Sequence, residues 1–195
     1  MRRSNKDRTE ATRQTLMDHA RELFVERGYN ETATPDIVAA AGVTRGALYH
    51  HFADKRDLFL AVIDREAERV AADIAAATGE AASARDALVR GITAYFDAMA
   101  APGRSRLLLL DGPAIMGLES GRSTDRDHAE ASLRDGLEAY FRETGSDLAG
   151  LEPLTSMLSA AFDRAVLAIA AGESREAYEQ AIIRLIEGLV TQLPR

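Results

Sequence analysis

Residues Thr34 to Phe52 read Thr-Pro-Asp-Ile-Val-Ala-Ala-Ala-Gly-Val-Thr-Arg-Gly-Ala-Leu-Tyr-His-His-Phe, a pattern of two short amphipathic helices joined by a tight turn. Thr34 is placed to cap the first helix, with Pro35 at its first position, where a missing N–H does no harm. Ile37, Val38 and Ala41 supply that helix's apolar face. Gly42 suits the left-handed position that ends it, Val43 plugs the turn, and Thr44 caps the second helix. On the second helix Leu48 and Phe52 share one face at i and i+4 and are expected to point inward. Arg45, Gly46, Ala47, Tyr49, His50 and His51 are then left facing out.

A helix-turn-helix pushes the N-terminal residues of its second helix toward base edges in the major groove, and Arg45 has the paired donors that suit guanine. Tyr49, His51 and Lys55 are better placed for phosphate. Asp54 is expected to cap the next helix, so that Lys55 and the free N–H groups of its first turn point together at a phosphate oxygen. The candidate DNA contacts are therefore Thr34, Thr44, Arg45, Gly46, Ala47, Tyr49, His50, His51 and Lys55.

Outside this motif, apolar residues recur at helical spacing along nearly the whole chain: Leu16, Ala20, Leu23 and Phe24; Ile92, Tyr95, Phe96 and Met99; Val166, Ile169, Ile182, Ile186 and Leu189. Alternation of period two is missing, which predicts an all-α protein of about nine helices. Helical patterns stop or restart at Gly28, Gly42, Ala53-Asp54, Thr78-Gly79, Pro102-Gly103, Gly121, Gly145, Pro153 and Gly172, and Asp111-Gly112-Pro113 marks a further interruption. Two domains are expected: a helix-turn-helix domain over residues 1–54 and a helical ligand-binding and dimerisation domain over 55–195, with one helix over 55–77 connecting them.

Charge is divided unevenly. Residues 1–60 carry ten Lys and Arg against nine Asp and Glu, whereas residues 61–195 carry 14 against 22, within a net charge of −7. A protein of this balance does not coat nucleic acid through its overall field, so any DNA contact is local. Arg2, Arg3, Lys6, Arg8 and Arg13 outweigh Asp7 and Glu10 in the first fifteen residues. They form either a DNA-steering arm or a solvated tail.

The absence of Cys removes disulfides, thiolate zinc sites and thiol nucleophiles, and it fits a reducing compartment. The longest apolar runs, such as Ala165 to Ala171, fall short of a membrane span, so the expectation is a cytoplasmic protein with no membrane partner. His50 and His51 lie about 100° apart on a helix, which disfavours a shared metal, and the Asp125, Asp127, His128 group is read as a polar helix start. No phosphate-cradling glycine loop, nucleophile elbow or isolated acid pair is present, so neither a catalytic residue nor a cofactor is expected.

The tract Ala40-Ala41-Gly42-Val43-Thr44-Arg45-Gly46-Ala47-Leu48-Tyr49-His50-His51-Phe52-Ala53-Asp54-Lys55, followed by Leu58, resembles the signature of the TetR family of transcriptional regulators. Leu16, Ala20, Leu23, Phe24, Gly28, Tyr29 and Thr34 are similar in type and order to that family's first helix and following turn. The resemblance implies a three-helix DNA-binding domain, a ligand-binding domain of about six helices, a homodimer, and repression relieved by a small molecule. It also implies that Thr34, Tyr49, His51 and Lys55 touch the DNA backbone and that Arg45, Gly46 and Ala47 lie near base edges. Pro35 stands where some relatives carry a base-contacting side chain, so specificity is expected to rest heavily on Arg45.

One helix-turn-helix buries too little surface for useful specificity, and such modules act in pairs on a double-stranded operator. The two long C-terminal patterns, Leu154 to Ala171 and Ser174 to Gln192, are apolar around more than one face. A two-fold four-helix contact built on Leu158, Phe162, Val166, Ile169, Ile182, Ile186 and Leu189 accounts for that, as does deep burial within one chain. The middle region supplies Tyr95, Phe96, Met99, Leu107, Leu110, Met116, Leu118 and Tyr140, which with Met157, Phe162 and Asp163 are either the lining of a pocket for a small hydrophobic or amphipathic ligand or plain core. Arg106, Asp97 and Asp111 are further polar groups able to orient such a ligand. An enzyme and a helical interaction or scaffold protein with a non-functional helix-turn-helix are the competing classes. Neither needs Arg45 and Lys55 exposed together.

Overall fold

The computed structural model describes residues 5–117 and 126–191. Arg2, Arg3, Leu118, Gly121, Asp125 and Gln192, which entered the expectations above, lie outside the described residues. Every regular element among the described residues is helical. In chain order they are α1 (Asn5–Arg27), α2 (Thr34–Ala40), α3 (Arg45–His51), α4 (Lys55–Thr78), α5 (Ala84–Met99), α6 (Arg104–Arg106), a π-helical turn (Leu107–Asp111), α7 (Gly112–Met116), α8 (Arg126–Thr144), α9 (Leu151–Ala170) and α10 (Arg175–Thr191). α6, the π turn and α7 are parts of one unbroken stretch, 104–116. The interruption expected at Asp111-Gly112-Pro113 is absent as a break. Pro113 has no N–H to donate and its ring would crowd the carbonyl four residues back, and the wider π turn just before it accommodates both defects without ending the helix. The arm expected at the N-terminus is helical from Asn5 onward, with Lys6, Arg8 and Arg13 on α1.

The chain forms two compact units, and the division differs from the expected boundary after residue 54. One unit runs as far as Glu66 and resumes from Pro102; the other takes Ala67–Ala101 and the described chain from α8 onward. The reason is the core. Leu16, Ala20, Phe24, Ile37, Leu48 and Phe52 bury their side chains together with Leu58, Phe59, Val62 and Ile63 of α4 and with Leu107 of the π turn. Each such side chain removed from water is worth about 1.5–3 kcal/mol, so the helix-turn-helix is not closed until α4 and the π turn have covered it. Phe24, Tyr29 and Phe59 meet edge-on and tilted, with Phe59 4.9 Å from Tyr29 and 5.1 Å from Phe24 between ring centres.

In this first unit Glu66 is fully buried between two cations. Arg104 Nε of α6 donates to Glu66 Oε2 at 2.9 Å, and Arg21 Nε of α1 lies 3.0 Å from Oε1. Burial works against ionisation of this carboxyl, but the hydrogen bonds and charges of Arg21 and Arg104 outweigh it and hold the carboxyl below the ordinary glutamate range.

In the second unit α5 begins at a reciprocal cap. Ser83 Oγ accepts from Asp86 N (3.1 Å), and Asp86 Oδ2 accepts from Ala82 N (3.0 Å). Leu88, Ile92, Phe96 and Met99 then line its buried face. α8 buries Leu137, Tyr140 and Phe141. α9 buries Thr155, Leu158, Phe162, Ala165, Val166 and Ala168, and Pro153 sits in its first turn, where no N–H is missed. By length and composition α9 is, among the described residues, the helix apolar enough to cross a membrane. The helix is longer than the apolar runs read from the sequence, and it carries Asp163 and Arg164 within its span. Its buried row packs on protein, as in a core helix.

Candidate nucleic-acid interface

Local chemistry builds the helix-turn-helix. α2 ends in a Schellman arrangement: Val43 N donates to Val38 O and Gly42 N to Ala39 O, both at 3.2 Å, with Gly42 at φ +63°. A side chain at Gly42 would meet nothing within 4 Å, so the backbone conformation alone selects glycine there. Thr44 then caps α3, its Oγ1 accepting from Ala47 N at 3.2 Å. The start of α2 differs from expectation. Ala33 occupies the capping position and Thr34 is the first helical residue, so no side chain caps this helix and Pro35 moves one place inward.

α3 is oriented by its inner side. Leu48 is fully buried and Phe52, just past the helix end, is nearly so. Arg45, Gly46, Tyr49 and His50 are consequently exposed, and Ala47 and His51 are half-buried. The Arg45 guanidinium lies 5.4 Å from the centre of the Tyr49 ring, an i,i+4 contact that restrains the long side chain before any partner arrives. At Gly46 a Cβ would approach nothing closer than Thr44 Oγ1 at 3.9 Å. The fold leaves room there for a side chain, and its absence bares the helix for close approach. Thr44 and Thr34 bracket this surface, one exposed and one half-buried.

His51 stands at the junction with α1. Its pKa is lowered by burial first and by His50 and Arg13 next, with Glu10 opposing. The imidazole is therefore neutral at neutral pH, with one N–H to donate. Arg13 itself lies over Phe52, 5.3 Å from the ring centre, and donates to Met17 Sδ at 3.3 Å. It is a cation at the α1–α3 edge that sequence reasoning had counted only as part of a charged arm.

Lys55 is half-buried at the start of α4. Its Nζ donates to Tyr29 O at 2.9 Å and to Thr32 O at 3.0 Å, and lies 4.2 Å from the centre of the Tyr29 ring. Two carboxylates stand at the start of α4. Asp54 Oδ1 accepts from Asp57 N and Asp57 Oδ2 accepts from Ala53 N, each at 2.8 Å. Asp54 caps α4 as expected, and Asp57 completes a reciprocal box with the backbone of Ala53.

The residues expected to line a pocket are divided between the two units. Leu107 is fully buried in the core of the first unit, Met116 is half-buried in the same unit, and Leu110 points outward, 50% exposed. In the second unit Tyr95, Phe96 and Phe162 form a ring cluster with centres 5.4 to 5.8 Å apart, and Tyr95 Oη donates to Asp163 Oδ1 at 3.1 Å. Met99 and Tyr140 are buried in that unit, whereas Met157 is 73% exposed. A cleft of about 300 Å³ opens in the first unit instead, lined by Arg27, Tyr29, Glu31, Arg106, Asp111 and Ile115 among others. Asp97 is engaged by Arg175 at 2.6 Å.

Of the residues expected at a subunit contact, Leu158, Phe162, Val166, Ile182 and Ile186 are buried within the single chain, and Ile169 and Leu189 are half-buried. The first five offer no surface to a second copy. The apolar excess of α9 and α10 is largely accounted for by the core of one protomer. What remains outside is Met157 on α9 and Leu185 on α10, the latter 57% exposed, with Ala160, Ala177 and Ala181.

Residues 16–62 match the family model described as bacterial regulatory proteins of the tetR family, and residues 85–193 match the tetracyclin repressor-like C-terminal domain. The transcriptional repressor BepR of Brucella suis is 45% identical over 65 residues, 33% of this chain and 31% of that protein. The transcriptional activator FasR of Mycolicibacterium smegmatis is 33% identical over 96 residues, 49% of this chain and 44% of that protein. The matches thus span less than half the length of these relatives. A solved TetR-family regulator from Pectobacterium atrosepticum superimposes with a TM-score of 0.73 at 28% identity, covering 99% of this chain and all of that one. With one family model on the helix-turn-helix and a second on more than half of the chain, the protein belongs to the TetR family of bacterial transcriptional regulators.

Proposed function

We propose that this protein is a sequence-specific transcriptional regulator that binds a palindromic operator as a homodimer, acts as a repressor, and is released by a small hydrophobic or amphipathic ligand held in its C-terminal helices. Its chemistry is binding rather than catalysis. The observation that carries the DNA-binding reading is the placement of Arg45, exposed and stacked on Tyr49 at the start of a helix whose opposite side is locked in the core. Arg45 reads guanine in the major groove, Gly46 and Ala47 let the helix approach, and Thr34, Thr44, Tyr49, His50 and His51 hold phosphates. The dimer forms through the outward faces of α9 and α10 around Met157 and Leu185. Repression follows BepR rather than FasR, to which the chain is less similar per residue. Ligand release requires only that the ligand favour one setting of the DNA-binding units, with a coupling of about 1–3 kcal/mol.

The test is selection of bound sites from a pool of random DNA duplexes, repeated with Arg45→Ala. Enrichment of a palindrome by the wild type, and loss of preference at one base pair in each half-site by the variant at a cost of about 1–3 kcal/mol, is the expected result. Failure to enrich any sequence would overturn the reading in favour of a helical interaction protein.

A further inference from the structure

We propose that the cleft between the α1–α2 turn and the 104–116 stretch binds a small zwitterion, an α-amino acid with an apolar side chain. The site lies wholly within the first unit, apart from the C-terminal ligand of the regulator reading.

The π turn builds one wall. In an α-helix, residues five apart point about 140° away from each other. The wider turn over Leu107–Asp111 closes that angle, and the Arg106 and Asp111 side chains meet, Nε 3.3 Å from Oδ2. Gly112 permits the turn: its N–H donates to Leu107 O, and a Cβ there would stand 3.0 Å from that same oxygen. The opposite wall is the end of α1 and the turn after it. Gly28, at φ +83°, admits the Arg106 guanidinium, since a Cβ there would fall 2.9 Å from Nη2. At about 300 Å³ the enclosed space lies at the lower end of the range for small-molecule sites.

Its charges are paired but poorly satisfied. Asp111 Oδ2 is buried and accepts no hydrogen bond, because the contact with Arg106 is not aligned as one. A buried acceptor without a donor is costly, and a ligand N–H would relieve it. Arg27 reaches Asp36 only at 3.6 Å and Glu26 only at 3.8 Å, beyond hydrogen-bond length, so its fork of donors is open to a carboxylate. An anion alone would meet Glu31 and Asp111, and a cation alone would meet Arg27 and Arg106. A ligand carrying both charges a few ångströms apart satisfies the two pairs together, with its carboxylate on the guanidinium groups and its ammonium at Asp111 Oδ2. Tyr29, Ala114 and Ile115 supply the apolar wall for its side chain.

The experiment titrates the full-length protein by calorimetry with leucine, with 4-methylpentanoate, which lacks the ammonium, and with 3-methylbutylamine, which lacks the carboxylate. Amide shifts in nitrogen-15 spectra locate the site. Leucine should bind with a dissociation constant at or below about 1 mM, and each half-charged analogue at least about tenfold more weakly. Shifts should concentrate over residues 27–31 and 106–115. Asp111→Asn should weaken leucine about tenfold and narrow its advantage over 4-methylpentanoate, because the repulsion of the acid is removed along with the attraction of the ammonium. Ala114→Phe, which fills the cleft from an exposed position, should abolish binding and decides the matter if Asp111→Asn does not fold. The proposal is overturned if alanine, valine, leucine and phenylalanine all fail to bind at about 10 mM, or if the three leucine-shaped probes bind alike. Binding that survives Ala114→Phe, or shifts confined to α5, α8 and α9, would overturn it as well. No DNA enters the measurement, so its failure leaves the regulator reading standing, and failure to enrich an operator leaves this site standing.

Discussion

At the residue scale, what a position tolerates depends on its neighbours as much as on its backbone. Gly103 and Gly172 both lie in the left-handed region, at φ +75° and +101°. A Cβ at Gly172 would stand in open space, while one at Gly103 would fall 2.5 Å from both methyls of Val25, where α6 starts against α1. Gly172→Ala should cost about 1 kcal/mol, the strain of the backbone alone. Gly103→Ala should cost a further 1–3 kcal/mol or so, because Val25 must move within a packed core. Urea denaturation of the two variants measures the difference, and equal midpoints would contradict it.

Elements are tied together by charge as well as by apolar burial. Arg21 on α1, Glu66 on α4 and Arg104 on α6 meet around a fully buried carboxylate, and Arg21 also donates to Pro102 O at 3.0 Å. Removing the charge by Glu66→Gln leaves two guanidinium groups uncompensated and should destabilise the protein by about 3–5 kcal/mol near pH 7. The pH dependence has a definite sign. Because the folded-state pKa of Glu66 is held below its unfolded value, its contribution is present above the unfolded pKa of about 4.5 and is lost as pH falls through the lower folded value. The stability gap between wild type and Glu66→Gln should therefore be largest at neutral pH and shrink in acid. Denaturant midpoints at pH 7 and below pH 4 check this, and a gap that widened in acid would rule out the triad as its source.

For the whole molecule, the decisive question is which apolar side chains of α9 and α10 are inside one chain and which await another. Ile186 is buried and Leu185, its neighbour in sequence, is exposed. Leu185→Arg should leave helicity intact, yield a monomer by sedimentation velocity, and weaken operator binding. Ile186→Arg places an unpaired charge in the protomer core and should unfold it, at a cost above about 4 kcal/mol. A Leu185→Arg protein that remained dimeric would move the interface away from this face.

The all-α class, the helix-turn-helix and the helix boundaries of its second half were determined by the sequence itself. Each depends on residues within a few positions of one another: Gly42 closes on Val38 and Ala39, Thr44 on Ala47, Asp54 on Asp57. Short-range bonds of this kind leave their mark as residue types at fixed spacing. The helix expected over 55–77 accordingly forms as Lys55–Thr78. The partner of Lys55 lies 23 to 26 residues away and that of Glu66 is 38 residues further on, and no spacing rule announces either. Leu107, read from the sequence as either pocket lining or plain core, completes the core beneath the helix-turn-helix, and the division of the chain falls within α4 instead of at residue 54. In α9 and α10 apolar residues occur around most of the girth, so periodicity could not rank the faces. Only the packing of the other helices decided that Leu158, Phe162, Val166, Ile182 and Ile186 turn inward and Met157 and Leu185 turn out, because burial belongs to the assembled set of helices and not to any one of them.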